Sequence, residues 1–215
     1  MGEIRGIFFW LTGVYTQPFH ILIAQALNQT KRMAVNPLAL PNFAAQVEGL
    51  ATGTIDGLAF CQALNQSAGI KGSPAALRDQ ILDCIIPNPG VIKATHILPE
   101  PIQRWLVVDL PVEWFEKIAG QLELLTCFVP ERIILLPTSK LQRLIPNVFD
   151  HLAIQAQLPL QQCLLIDASH RRAVQALNHG LSTELYVDNR RLERALILRK
   201  LIDRLQPVHK PATNL

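Results

Sequence analysis

The chain has 215 residues, of which 49% are hydrophobic and 17% charged, with a mean hydropathy of +0.22. That apolar content excludes general disorder, because chains that stay unfolded are too polar to offset the entropy of ordering. A formal net charge of +3 is too small to imply a nucleic-acid partner, and the longest apolar runs fall well short of the ~18 residues that span a bilayer.

The length allows one domain with a sizeable insertion, or a core with a small lid. Glu3 beside Arg5, with no small-residue cleavage site after the first apolar stretch, argues against a secretory signal. Gly6 stands where a myristoylation motif needs Ser or Thr. Together these features predict a cytoplasmic chain. Four cysteines, Cys61, Cys84, Cys127 and Cys163, lie 23, 43 and 36 residues apart with no CxxC pair, so neither a zinc site nor a disulfide framework is expected. They read as small buried apolar residues.

In chain order, Ile4 to Trp10 is an apolar, β-rich run closed by Leu11-Thr12-Gly13, which predicts a buried strand and a Gly turn. Helical spacing follows over Phe19 to Leu27, Phe43 to Leu50, Ile55 to Leu64 and Ala75 to Ile86. After Pro87-Asn88-Pro89-Gly90 the pattern alternates. Strands are expected at Trp105 to Val108, Arg132 to Leu136, Cys163 to Ile166 and Leu185 to Val187. Helices are expected at Val112 to Leu125, Val148 to Gln157 and Arg171 to Asn178. Such alternation means a parallel sheet covered on both faces. The expected fold is therefore α/β, a doubly wound, mainly parallel sheet built from residues 1–15 and 88–215, with residues 16–87 as an α-helical insertion.

The charge is uneven. Residues 170–215 hold nine Lys/Arg against four Asp/Glu, concentrated at Arg190, Arg191, Arg194, Arg199, Lys200 and Arg204. The interleaved Leu192, Leu196, Leu198, Leu201 and Leu205 predict an amphipathic helix. Its basic face is either solvated or docks on an anionic partner, whether acidic protein, lipid headgroups or nucleic acid. The apolar stretch from Ile21 to Leu64, with few charges, is an expected protein–protein or homo-oligomer surface.

Five segments carry a resemblance. Phe8-Phe9-Trp10-Leu11-Thr12-Gly13-Val14-Tyr15 resembles an apolar strand followed by Asp-x-Asp-Gly-Val/Thr-Leu, and Pro89-Gly90-Val91 resembles a return from a cap to a core. Trp105-Leu106-Val107-Val108-Asp109-Leu110-Pro111 is similar to a strand ending in Ser or Thr. Arg143-Leu144-Ile145-Pro146-Asn147-Val148-Phe149 is similar to Lys-Pro-x-Pro-x-Ile-Phe. Gln162-Cys163-Leu164-Leu165-Ile166-Asp167-Ala168-Ser169 is similar to a strand ending in Asp-Asp-Ser. In this order they resemble the haloacid dehalogenase-like (HAD) superfamily, which implies a Rossmann-like core, a helical cap and a hydrolase fold.

The resemblance also implies a chemistry, an Asp nucleophile, a second Asp as acid, a hydroxyl and a Lys holding phosphoryl oxygens, and carboxylates completing a Mg²⁺ shell. Here the nucleophile position falls on Trp10, whose indole is a donor only, and the acid position on Thr12. The hydroxyl position falls on Val108 or Asp109, Arg143 stands for the Lys, and Asp167 is followed by Ala168. Few oxygen ligands remain for Mg²⁺. The expectation is a HAD-like protein without catalytic residues or cofactor, acting as a binding, scaffold or regulatory protein with a protein partner. The alternative is a phosphatase-like hydrolase with a rearranged site of Asp109, Asp167 and Arg143, with Mg²⁺ bound in that case alone.

Blander roles compete at each position. Trp10 either fills the vacated pocket or forms part of a ligand surface. Asp167 caps the next helix, pairs with Arg143, or binds a residual cation or ligand. Asp109 caps the helix beginning near Val112. His170 and His179 read as surface or capping residues. No GxSxG, GxxxxGKS/T or HExxH occurs, and Gly69-Ile70-Lys71-Gly72 lacks the preceding strand of a phosphate loop.

Overall fold

The computed structural model describes residues 3–31, 34–120, 124–136 and 147–203. Strand β1 (Gly6–Trp10) is buried along its whole length, as a near-continuous apolar run should be when helices cover both faces of a sheet. Four more strands join it: β2 (Gln103–Val108), β3 (Ile133–Leu135), β4 (Cys163–Asp167) and β5 (Ser182–Leu185). Their order is β3-β2-β1-β4-β5, and every neighbouring pair is parallel. The register sets Trp10 opposite Val107 and Phe9 opposite Ile166.

Among the described residues, five α-helices lie between β1 and β2: α1 (Phe19–Lys31), α2 (Phe43–Thr52), α3 (Gly57–Ala68), α4 (Pro74–Asp83) and α5 (Pro89–His96). The rest of the chain adds α6 (Val112–Ala119), α7 (Leu124–Cys127), α8 (Val148–Ala156), α9 (His170–Asn178) and α10 (Asn189–Leu198). Local chemistry explains the breaks. Asp56 caps α3 by accepting the Ala59 N–H at 2.7 Å, and Asn88 caps α5 through Val91 N–H with Pro89 at its first turn. All four cysteines are buried, and none forms a disulfide among the described residues. No helix among the described residues is long and apolar enough to cross a membrane.

Two aromatic groups lock the layers. Phe9, Tyr15 and Phe128 meet edge to face at 5.3–6.1 Å. Phe19 of α1, Phe60 of α3 and Trp114 of α6 meet at 5.7–6.4 Å and so join the inserted helices to a helix of the sheet layer. The chain's exit and return are also tied together. Asn88 N–H donates to Tyr15 O at 2.8 Å, while its side-chain amide donates to Val14 O at 3.1 Å and to the Tyr186 hydroxyl at 2.6 Å.

Several expectations need correction. The last strand is Ser182–Leu185 and not Leu185–Val187, since β4 pairs Leu164 with Ser182 immediately after the Gly180 turn. The helix expected over Val112 to Leu125 ends at Ala119, with a separate short turn at α7. Helix α4 closes at Asp83, before Ile86, and the segment Pro89–His96, read as a connection, is helical. Helix α10 stops at Leu198, where Lys200 turns left-handed at φ 58° and Leu201 and Ile202 become buried. Leu205 and Arg204 lie outside the described residues.

Candidate functional site

The strand order reverses beside β1: β2 and β3 extend one way and β4 and β5 the other. In open α/β sheets the crevice at the C-terminal ends of strands flanking such a point is where ligands bind. Here those ends carry Trp10 on β1 and Asp167 on β4, with Asp109 just past β2.

Beyond Trp10 the chain makes one tight turn, Leu11–Tyr15, in which Thr12 is extended and Gly13 has φ 90°. A Cβ on Gly13 would lie 2.8 Å from Ala168, so glycine serves both the backbone angle and the close approach to the end of β4. The turn presents Thr12, whose hydroxyl donates to Asp109 Oδ2 at 2.5 Å across 97 residues of sequence. Val108 is fully buried in the core, so Asp109 is the residue of that pair facing the site. Asp109 does not cap α6, which begins after Pro111 without a side-chain cap bond.

Asp167 is fully buried, and both of its oxygens are engaged. Arg172 grips it in bidentate fashion, Nε to Oδ2 at 2.6 Å and Nη2 to Oδ1 at 2.9 Å, while Ser169 N–H donates to Oδ1 at 2.8 Å. Arg172, five residues along, is thus a partner of Asp167; the pairing with Arg143, one of the alternatives for Asp167, falls on a residue outside the described ones. Capping of α9 falls to Ser169, whose hydroxyl accepts Arg172 N–H. The same guanidinium lies 4.1 Å from the centroid of the Trp10 ring, a cation–π contact on a side chain only 3% exposed.

Burial pushes the Asp109 carboxyl above its ordinary value, against the Arg172 charge, the Thr12 bond and the nearby Trp10 indole, which draw it down. Neither Trp10 Nε1 nor Asp109 Oδ1 has a partner of hydrogen-bond geometry among the described residues. Burial alone would lower the pKa of Arg172, but the bond to Asp167 and the charges of Asp167 and Asp109 raise it, so the guanidinium stays charged.

Above these groups a cavity of about 620 Å³ remains open. Its polar wall is Thr12, Asp109, Ser169, Arg171, Arg172 and Gln175, and its apolar wall is Phe19, Leu38, Phe43, Val47 and Leu50 from the inserted helices, with His20 and Glu48 between them. Arg171 is exposed and makes no ion pair among the described residues. Trp10 therefore supports the floor under Arg172 and leaves the pocket itself unfilled. His170 starts α9 on the surface, and His179 caps its far end, bonded to Asn147 and Asp150.

Arg171 and Arg172 escaped the sequence reading. A signal existed: two cations in the first turn of a helix oppose its dipole, so their placement calls for a nearby anion.

The fold built this way is HAD-like, an α/β core with a helical cap. A predicted HAD-like family hydrolase from Porphyromonas gingivalis superposes with a TM-score of 0.65 at 16% identity, over 93% of this chain and 98% of that one. A HAD family enzyme from Bacteroides thetaiotaomicron in complex with magnesium gives 0.65 at 14% identity, over 86% and 94%. The L-2-haloacid dehalogenase of Xanthobacter autotrophicus with chloropropionic acid covalently bound gives 0.62 at 14%, over 94% and 85%. No family model matches the sequence, and no curated protein matches it either.

The Mg²⁺ that the resemblance implies does not fit the residues present. Both Asp167 oxygens are taken by Arg172 and Ser169, Asp109 Oδ2 accepts from Thr12, and the side chains of Trp10 and Ala168 carry no oxygen. Among the described residues no group of three or more His, Cys, Asp or Glu side chains is arranged to hold a metal ion.

Proposed function

We propose that this HAD-like protein is a non-hydrolytic binding protein, with a regulatory or scaffold role exercised through the cavity between the strand ends and the inserted helices. One observation carries the reading: Trp10 tops the central strand, where attack on a substrate would begin, and Arg172 covers it. An indole supplies no nucleophilic electron pair at its N–H. Without a nucleophile or metal, most of the ~8 to 23 kcal/mol that enzymes take off reaction barriers has no source here. The test is turnover of a panel of phosphomonoesters and a 2-haloacid, with and without Mg²⁺. Absence of turnover is expected; a rate above background that vanishes in Asp109→Asn or Asp167→Asn sinks the proposal.

Asp109 favours a second reading, a hydrolase with a rearranged site in which Asp109 is a general base, Asp167 a support and Arg143 an anion holder. A carboxylate with a raised pKa beside a cavity suits proton abstraction. The same assay decides between the two, through the Asp109→Asn variant.

A partner site is proposed on α10. Arg5, Arg191, Arg194 and Lys200 line a groove of about 1350 Å³ with Glu3, Pro99 and Pro101, while Arg199 is drawn to Glu184 at 3.4 Å, so that cations outnumber carboxylates there. A concave basic surface with an exposed Leu198 suits an acidic protein segment better than a flat membrane. Salt-dependent binding of an acidic peptide, lost in Arg191→Glu/Arg194→Glu, is expected; equal binding by that variant sinks the idea.

A further inference from the structure

We infer that Arg172 is the built-in cation of this site, standing in for a divalent ion by neutralising Asp167 permanently, so that the buried carboxylate of Asp167 is paired without metal. The argument starts from what a buried carboxylate requires. An isolated ionised carboxylate is costly to desolvate, so one that is fully buried must be paired, hydrogen-bonded or metal-bound. Asp167 is fully buried at the end of β4, and Arg172 gives it two bonds of 2.6 and 2.9 Å with matched fork geometry.

The guanidinium is held on two sides: Asp167 binds its edge and the Trp10 ring covers one face at 4.1 Å. Its backbone N–H is fixed by the Ser169 hydroxyl. A compact, hydrated cation could not use the Trp10 face and the bidentate edge together; a planar guanidinium uses both. Trp10 and Arg172 therefore form one unit, in which the indole that removes the attacking group also seats the cation. An Asp at position 10 would face the same guanidinium, so restoring that single carboxylate would not recreate a metal site.

This rests on reading the strand ends as the remodelled hydrolase site, but the two fail separately. Turnover without metal dependence would overturn the proposed function and leave the built-in cation standing; metal binding without turnover would do the reverse.

The experiment titrates the full chain and its variants with MnCl₂, reading free Mn²⁺ by electron paramagnetic resonance and stability by thermal denaturation. The parent chain is expected to leave millimolar Mn²⁺ free with an unchanged Tm. Arg172→Ala should lose stability, bind Mn²⁺ at least tenfold more tightly than the parent and regain part of its Tm, while Arg172→Lys should remain metal-free. Stoichiometric Mn²⁺ binding by the parent that is lost in Asp167→Asn overturns the inference, as does a folded Arg172→Ala that binds no better than the parent. If Arg172→Ala does not fold, Asp167→Asn/Arg172→Leu decides. Recovery of folding without Mn²⁺ binding supports charge neutralisation, and continued failure to fold shows that Arg172 acts by packing, which ends the proposal.

Discussion

Gly57 at the start of α3 abuts the indole of Trp114 on α6: a Cβ at position 57 would lie 2.3 Å from Trp114 Nε1 and 2.8 Å from Cε2. The inserted helices are thereby seated directly on a fully buried side chain of the sheet layer. Gly57→Ala must shift one helix against the other, and overpacking of this kind costs about 1–3 kcal/mol. A lower urea midpoint with an unchanged m-value is expected. An unaltered midpoint would show that α3 can move off Trp114 freely.

Trp10→Ala removes a buried indole and the surface on which Arg172 rests. Aromatic truncation in a core costs about 3–5 kcal/mol. Trp10→Phe, which keeps a ring under the guanidinium, should retain most of that stability. If the two variants unfold at the same denaturant concentration, the ring stacking has no energetic weight.

Asp109 sets a pH dependence. Its folded pKa lies above the ordinary 3.8, so the folded state holds the proton more tightly than the unfolded chain. The associated stability is complete below the unfolded value and is lost as pH rises from there through the raised folded value. Asp109→Asn keeps an acceptor for Thr12 without the charge. Its Tm should exceed the parent's at pH 7, with the gap narrowing as the pH falls through the raised folded value towards 3.8. A gap that widens towards acid would reverse the assigned shift.

Asn88 ties the two ends of the insertion, donating to Val14 O and Tyr186 and accepting from Val91 N–H and Asn189 at 3.0 Å. At roughly 1 kcal/mol for each of its three part-buried side-chain bonds, Asn88→Ala should lose about 3 kcal/mol. Limited proteolysis should then cut the insertion faster than it cuts the parent chain. Equal digestion rates would mean that the other contacts suffice to hold it.

The elements that were legible in the sequence are those whose burial is two-sided or whose period is clear. The run from Gly6 to Trp10 reads as a strand because every residue meets a helix or strand on both faces. The segment Ser182–Leu185 hides because an edge strand only half buried tolerates Ser, Thr and Glu. Helix α5 hides because Pro89, a breaker inside helices, is favoured in a first turn. Of the site, Trp10, Thr12 and Asp109 were visible as departures from a motif and Asp167 as a residue that keeps to it. Arg172 has no motif position, and its one sequence signal is its place beside Arg171 in the first turn of α9.

The amino-acid order alone settled which chemical groups stand at the strand ends, since strand periodicity and the Gly turn place residues 10, 12 and 167 there whatever surrounds them. Which of those groups touch was decided by the folded chain. Thr12 reaches Asp109 across 97 residues only because β1 and β2 lie side by side. Arg172 meets both Asp167 and Trp10 only because the turn into α9 swings it back over the sheet. Side-chain type is local, whereas pairing and desolvation depend on neighbours brought together from distant parts of the chain.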